Sequence, residues 1–174
     1  MKQTALSVNK AISLSAALAA LAIVLSYLEA VSGINSLMPV PGTKLGLANI
    51  AVTVTAYTVS LRAGAAVSFL RVCVMSLLFG SPTTFLFSLC GALLAYAFTV
   101  FAKLAIGGRI SLIGVSVGAA AMHMTGQLIA ACIMLTDISV LRLLPLYLVT
   151  AVITGIFTGA LSEFCVRRLK RVHF

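Results

Sequence analysis

The sequence predicts an all-α integral membrane protein, a single membrane domain over residues 1–174 with six transmembrane helices. Hydrophobic residues make up 61% of the chain and charged residues 9%, with a mean hydropathy of +1.18. A soluble domain is about one-quarter charged and could not bury so much apolar surface. Several apolar runs are also about 20 residues long, which is the length that a helix needs to cross a hydrocarbon core of about 30 Å. We therefore expect the lipid bilayer to surround the protein.

Each predicted span is an apolar run bounded by charged or turn-forming residues. The first run lies between Lys10 and Glu29, and Arg62 alone divides the second run from the third. The segments "SPT", "IGGR" and "TDIS" divide the later runs. Only one connection is long, over residues 30–44. The predicted spans cover residues 11–29, 45–61, 63–80, 83–103, 111–135 and 142–166.

The basic residues predict the orientation. With the N-terminus in the cytoplasm, nine Lys and Arg residues lie on the cytoplasmic side, and only Lys44 and Arg142 lie outside. Because cytoplasmic loops carry the excess of Lys and Arg, we expect both termini in the cytoplasm and the 30–44 loop outside. The net charge of +9 follows this distribution and forms no continuous basic face. No nucleic-acid partner is expected.

Polar side chains inside the spans mark a candidate site. Arg71 lies near the middle of the third span, where an arginine costs about 2.5–3.5 kcal/mol and requires compensation. His123 and Gln127 are four residues apart and share one face of the fifth span. The candidate substrate-binding residues come from four spans and share a mid-membrane to outer depth: Glu29, Lys44, Asn49, Arg71, His123 and Gln127.

These polar residues allow a structural and a functional interpretation. Arg71 paired with Glu29 would hold the bundle together, and an intramembrane histidine is often only hydrogen-bonded to a neighbouring helix. In the functional interpretation, Arg71 faces an internal cavity and meets an anionic ligand, which His123 and Gln127 orient by hydrogen bonds. The excess of Lys44 and Arg71 over Glu29 favours an anion.

Small residues in the first span allow close approach by another helix. Ser15 and Ala19, and likewise Ala16 and Ala20, have the small-xxx-small spacing of packed membrane helices. The pattern fits packing inside the bundle, and it fits equally a docking surface for a partner protein at Ala16 and Ala20.

The residue inventory argues against catalysis by this chain alone. Prenyl diphosphate synthases hold magnesium with paired aspartate-rich motifs, and a chain with three Asp and Glu residues in total cannot build them. The sequence contains no Walker A loop, no zinc-ligand set and no G-x-S-x-G motif. We expect a non-enzymatic role without a metal or other cofactor.

Four segments carry a resemblance to a known family: "PGTKLGLANI", "SLLFGSPTTFLFSLCGALLAY", "SLIGVSVGAAAMHMTGQLIAA" and "LLPLYLVTAVITGIFTGALS". They resemble bacterial membrane proteins described as heptaprenyl diphosphate synthase component I or as Gx transporters. One departure is that His123 is followed by Met124, where the family reads His-Asn. A ligand contact through that asparagine is therefore not expected in this chain.

The family is in turn similar to the substrate-binding S components of energy-coupling factor (ECF) transporters, in size, topology and the Ala-rich first helix. The resemblance implies an S-component-like bundle in the bacterial plasma membrane and an outer pocket lidded by the loop after the first helix. It also implies that Ala16 and Ala20 meet a transmembrane coupling subunit driven by an ATPase pair.

Three functional hypotheses follow from these observations. The first is a substrate-binding subunit that captures a small anionic or amphiphilic organic molecule for uptake with separate energising subunits. The second is a non-catalytic membrane subunit that binds a quinone, prenyl or flavin-type molecule in a biosynthetic or redox pathway. The third is a membrane scaffold that anchors partners.

The orientation gives a direct prediction. With the native cysteines replaced, a cysteine at Ser36 should react with an impermeant thiol reagent in intact cells, because the 30–44 loop is expected outside. A cysteine at Arg62 should be protected. Labelling at position 62 together with protection at position 36 would reverse the orientation.

Overall fold

The computed structural model describes residues 7–33, 39, 44–79 and 81–173, and over these residues the protein is helical without strands. A π-helical segment, Ala102–Ile106, continues α4, and a 3-10 segment, Ile138–Leu143, precedes α6. The six α-helices of the described residues are α1 Val8–Val31, α2 Asn49–Thr58, α3 Leu61–Phe79, α4 Pro82–Phe101, α5 Leu112–Leu135 and α6 Leu144–His173.

Five helical stretches among the described residues are long and apolar enough to cross a membrane. They are Val8–Val31, Leu61–Phe79, Pro82–Ile106, Leu112–Leu135 and Ile138–Arg171. These stretches support an all-α, multi-pass membrane protein. The exception is α2, whose 10 residues extend about 15 Å, half of the hydrocarbon thickness.

The second predicted span, 45–61, is therefore shorter in the structure than in the sequence-based expectation. Gly46 has a φ of +86°, a left-handed conformation that breaks helical geometry and that glycine adopts readily. At its other end α2 stops at Thr58, and α3 begins at Leu61. Most α2 side chains are buried against other helices. The apolar run is as long as a membrane span, but protein rather than lipid surrounds it.

Charged side chains from two other helices hold the ends of α2. The buried Glu29 carboxylate at the end of α1 accepts the backbone N–H groups of Gly46 and Leu47, each at 3.0 Å. At the opposite end, Lys103 Nζ donates to the Ala56 carbonyl at 2.5 Å and lies 5.1 Å from the Tyr57 ring centroid. A negative charge at the start and a positive charge at the end complement the helix dipole.

Around α2 the long helices pack closely. α2 contacts α1, α3 and α6, while α5 lies between α4 and α6. Glycines allow these contacts: an added Cβ would lie 2.6 Å from the Cys90 carbonyl oxygen at Gly126, and 2.5 Å from the Val117 Cα at Gly155. Such small residues permit close approach of backbones where hydrophobic segregation from lipid provides no driving force.

Several expectations fall on parts of the chain that the structure does not describe. The predicted lid over residues 30–44 is described only at its two ends and at Pro39. Ser36, Pro41 and Gly42 lie outside the described residues. Arg62, the second labelling position, is exposed near the start of α3.

We predict that Glu29→Gln destabilises the protein. The amide nitrogen that replaces one carboxylate oxygen cannot accept an N–H, so a buried backbone donor of Gly46 or Leu47 loses its partner. The expected loss is about 2 kcal/mol in the free energy of unfolding, measured by denaturant titration in detergent micelles.

The matched control is Glu163→Gln. Glu163 bonds Arg167 one helical turn away in α6, and their side chains are 27% and 73% exposed, so its loss should change stability by about 0.5 kcal/mol or less. Equal effects of the two substitutions would show that Glu29 does not hold the start of α2.

Candidate functional site

A small polar cavity lies where α1, α3, α4 and α5 meet the segment that precedes α2. It brings together three of the residues singled out from the sequence, Lys44, Arg71 and His123. We call it the Arg71 cavity. Its lining residues are Ser26, Lys44, Arg71, Val72, Met75, Ser88 and His123.

Arg71 is buried in the middle of α3, with 6% of its surface exposed. One guanidinium nitrogen, Nη2, lies 3.5 Å from Asn49 Oδ1, a long contact at the limit of a hydrogen bond. Nε has no hydrogen-bond partner among the described residues. The Glu29 carboxylate attracts the guanidinium electrostatically, so Asn49 and Glu29 compensate its burial only in part.

Gln127 joins α5 to the segment before α2. Its Oε1 accepts the Lys44 backbone N–H at 2.9 Å, and its Nε2 donates to the Lys44 carbonyl at 2.9 Å. Nε2 also lies 2.6 Å from His123 Nε2. The Gln127 side chain is fully buried, and with these contacts it fixes the Lys44 backbone and the His123 ring at once.

The His123 ring lies between two glycines. An added Cβ would lie 3.1 Å from the ring at Gly46 and 2.8 Å from it at Gly91. His123 is 2% exposed, and its Nδ1 has no hydrogen-bond partner among the described residues. The ring is thus held in place between the two glycines, with Nε2 bonded to Gln127.

The Lys44 ammonium lies in the same electrostatic field. Burial lowers its pKa, the neighbouring Arg71 lowers it further, and Glu29 opposes both effects. An anion placed between the two cations would therefore favour the charged form of the lysine and relieve the repulsion between Lys44 and Arg71.

Glu29 lies beside this site with a role that the sequence did not reveal. The expected role was as an acid near Arg71 or Lys44, and its field does act on both. Its two carboxylate oxygens also accept backbone N–H groups at the start of α2. Glu29 therefore lies beside the cavity and holds the start of α2 in place.

Two further cavities extend the polar interior along α2. Both of these small cavities are lined by Asn49 and Thr53. Asn49 thus borders these cavities and also contacts Arg71. The residues that sequence analysis missed are hydroxyl side chains that face the interior: Ser26, Ser68, Ser88, Thr99, Ser116, Thr154 and Thr158.

Ala16 and Ala20 lie away from these cavities. Both are exposed on α1, whereas Ala19 and Ala22 are buried in a cluster with residues of α2 and α3. Of the small residues in α1, one set therefore packs inside the bundle, and the set singled out for docking faces outwards.

The comparisons with known proteins identify the family of the chain. The family model described as heptaprenyl diphosphate synthase component I matches residues 18–165. The chain belongs to this family. The match confirms the resemblance drawn from the sequence, and the name heptaprenyl diphosphate synthase component I implies that such a protein works with a second component. No curated protein and no solved structure matches the chain.

The Arg71 cavity offers positive charge and hydrogen-bond donors. Among the described residues no group of three His, Cys, Asp or Glu side chains could hold a metal ion. The Arg71 cavity instead presents two cations, an imidazole and two serine hydroxyls. These groups suit recognition of a ligand that carries negative charge.

We predict that Arg71→Met abolishes retention of an anionic ligand without unfolding the protein. Methionine keeps the apolar length of the side chain and removes the guanidinium donors. Loss of charge-assisted hydrogen bonds worth about 1.5–3 kcal/mol corresponds to an affinity lower by about 10- to 100-fold. Native mass spectrometry of the purified protein measures the retained molecule.

The control for charge alone is Arg142→Met, because Arg142 is exposed and should leave retention unchanged. Arg71→Lys should bind weakly, since it keeps the charge and loses the planar fork. A destabilised Arg71→Met protein with normal ligand retention would make the role of Arg71 purely structural.

Proposed function

We propose that this protein is a substrate-binding membrane subunit, similar to an ECF S component, that captures a small anionic or amphiphilic molecule for uptake. The observation that carries the proposal is a set of three buried polar atoms around one cavity. Arg71 Nε, Ser88 Oγ and His123 Nδ1 have no hydrogen-bond partner among the described residues, and all three residues line the Arg71 cavity.

Such a set is unexpected in a structural core. A buried polar group without a partner costs about 1–3 kcal/mol, and most buried polar groups are paired for that reason. Three of them around one cavity, beside Lys44, are consistent with a site at which a molecule from outside the chain supplies the partners.

Energy for uptake has to come from other subunits in this proposal. The sequence has no ATP-binding loop, so a transmembrane coupling subunit with an ATPase pair would drive the cycle. The outward-facing Ala16 and Ala20 on α1 provide a surface on which a partner helix could pack closely.

A second candidate follows from the family name and one feature of the cavity. The Arg71 cavity also has an apolar wall, Val72 and Met75 on α3. A prenyl diphosphate or a similar amphiphile could place its charged head between Lys44 and Arg71 and leave its tail along this wall. With three acids in the chain, catalysis would then belong to the second component of the complex.

Purification in a mild detergent distinguishes these functions. A retained water-soluble anion together with a co-purifying ATPase pair would support uptake. A retained isoprenoid or quinone without an ATPase would support the second candidate. A protein that carries no small molecule and binds only other proteins would support a scaffold and contradict both binding functions.

We predict that Ala16→Trp and Ala20→Trp weaken assembly with a coupling subunit and leave ligand retention intact. A bulky side chain on an exposed small-residue face prevents close helix packing, and the expected result is a large loss of co-purified partner. Ala160→Trp on α6 is the control, because Ala160 is also an exposed helical alanine. Misfolding of the α1 variants alone would place this face inside the bundle.

A further inference from the structure

We infer that the Arg71 cavity binds an oxyanion, a carboxylate or a phosphate group, and that neutral His123 donates its Nδ1–H to this group, with Gln127 as the positioning residue that fixes the tautomer. The inference rests on the proposed binding function and deepens it.

The orientation of the Gln127 amide is determined by the Lys44 backbone. The backbone N–H can only donate, so the Gln127 atom that receives it at 2.9 Å is the oxygen. The backbone carbonyl can only accept, so the atom that approaches it at 2.9 Å is the NH₂ group. The opposite amide orientation would place donor against donor and acceptor against acceptor.

This orientation determines the tautomer of His123. The Gln127 NH₂ group has a second hydrogen, and His123 Nε2 lies 2.6 Å from that nitrogen. Since the amide nitrogen donates, Nε2 must accept with its lone pair and carries no proton. The proton of the neutral ring is then on Nδ1, which has no partner among the described residues.

The donors around the cavity now outnumber the acceptors. His123 Nδ1–H, Arg71 Nε–H and the Lys44 ammonium are donors without acceptor capacity. Ser26 and Ser88 add hydroxyl groups that can adapt to either role. The matching ligand group is one with several acceptor lone pairs and a negative charge.

A carboxylate or a phosphate meets this requirement better than a neutral or cationic group. Lys44 and Arg71 repel each other, so a cation is excluded and a neutral amide would leave the repulsion in place. An oxyanion accepts from several donors at once and forms charge-assisted bonds with both cations. The group could belong to a free small molecule or to a lipid headgroup, and the experiment has to separate these sources.

The tautomer is measurable in the wild-type protein. The chain has two histidines, so a long-range ¹H–¹⁵N spectrum of ¹⁵N-histidine protein in phosphatidylcholine nanodiscs contains two rings, and His173→Ala assigns them. We expect His123 to show a protonated Nδ1 and an unprotonated Nε2. An Nε2–H tautomer or an imidazolium would overturn the inference, whether or not any variant folds.

Titration then identifies the ligand group and its source. Sodium phosphate and sodium acetate should cause a saturable shift of the Nδ1 resonance that sodium chloride at equal ionic strength does not cause. The same titration in dodecyl maltoside micelles, which contain no phosphate, separates the sources: a shift that arises only when phosphatidylcholine or phosphatidylglycerol is added identifies the oxyanion as a headgroup. The absence of a specific shift in every arm would overturn the inference.

Matched variants test the direction of the donor. The amide nitrogen of His123→Asn can occupy a position close to Nδ1, so this variant should keep phosphate affinity within about 10-fold of wild type. His123→Ala should lose more than about 10-fold, the effect of one strong hydrogen bond, as measured by thermal shift with sodium phosphate. Equal affinities of the two variants would show that the Nδ1 donor does not contact the anion.

Gln127→Leu tests the positioning role. Leucine fills similar volume and removes both amide contacts, so we expect the His123 spectrum to show a mixture of tautomers. An unchanged single tautomer would show that Gln127 does not fix it. The proposed binding function stands or falls separately, since native mass spectrometry can detect a retained molecule even if His123 is the other tautomer.

Discussion

The contact between the Glu29 carboxylate and the start of α2 is the constraint on which the rest of the structure depends. A ten-residue helix inside a membrane bundle ends where water cannot satisfy its backbone groups, and each unpaired group there costs several kcal/mol. Glu29 accepts the N–H groups of Gly46 and Leu47 at one end, and Lys103 donates to a carbonyl at the other. Two charged side chains thereby stabilise the two ends of the short α2 helix.

The same contact organises the candidate site. Lys44 lies two residues before Gly46, so a fixed Gly46 amide keeps the Lys44 backbone within reach of Gln127. Gly46 also leaves room for the His123 ring, which a side chain at that position would meet at 3.1 Å. The end of α1, the start of α2 and the middle of α5 are thus linked through a short series of hydrogen bonds, and a ligand at His123 would be linked to the segment that follows the 30–44 loop.

Sequence analysis could predict the features for which placing a residue in the wrong solvent would cost much free energy. Long apolar runs indicate membrane helices, and an arginine or a histidine within such a run requires a polar partner. The membrane class and the proximity of Arg71 to His123 could therefore be predicted from the sequence. The short α2 could not be, because hydropathy does not distinguish burial in protein from burial in lipid. Ser88 was also missed, because a serine in a membrane helix costs little free energy to bury and usually donates a hydrogen bond to the backbone of its own helix.

The balance of charge connects the fold to the proposed function. Glu29 attracts both Lys44 and Arg71, yet one carboxylate cannot neutralise two cations, and its oxygens also bind the positive end of α2. An uncompensated positive charge at this depth is unfavourable for the isolated chain. Natural proteins accept local cost of this kind at binding sites, because a ligand that supplies the missing charge is then bound tightly and ligands of the opposite sign are rejected. In the proposed function, the charge that stability alone would remove is the charge that selects an anion.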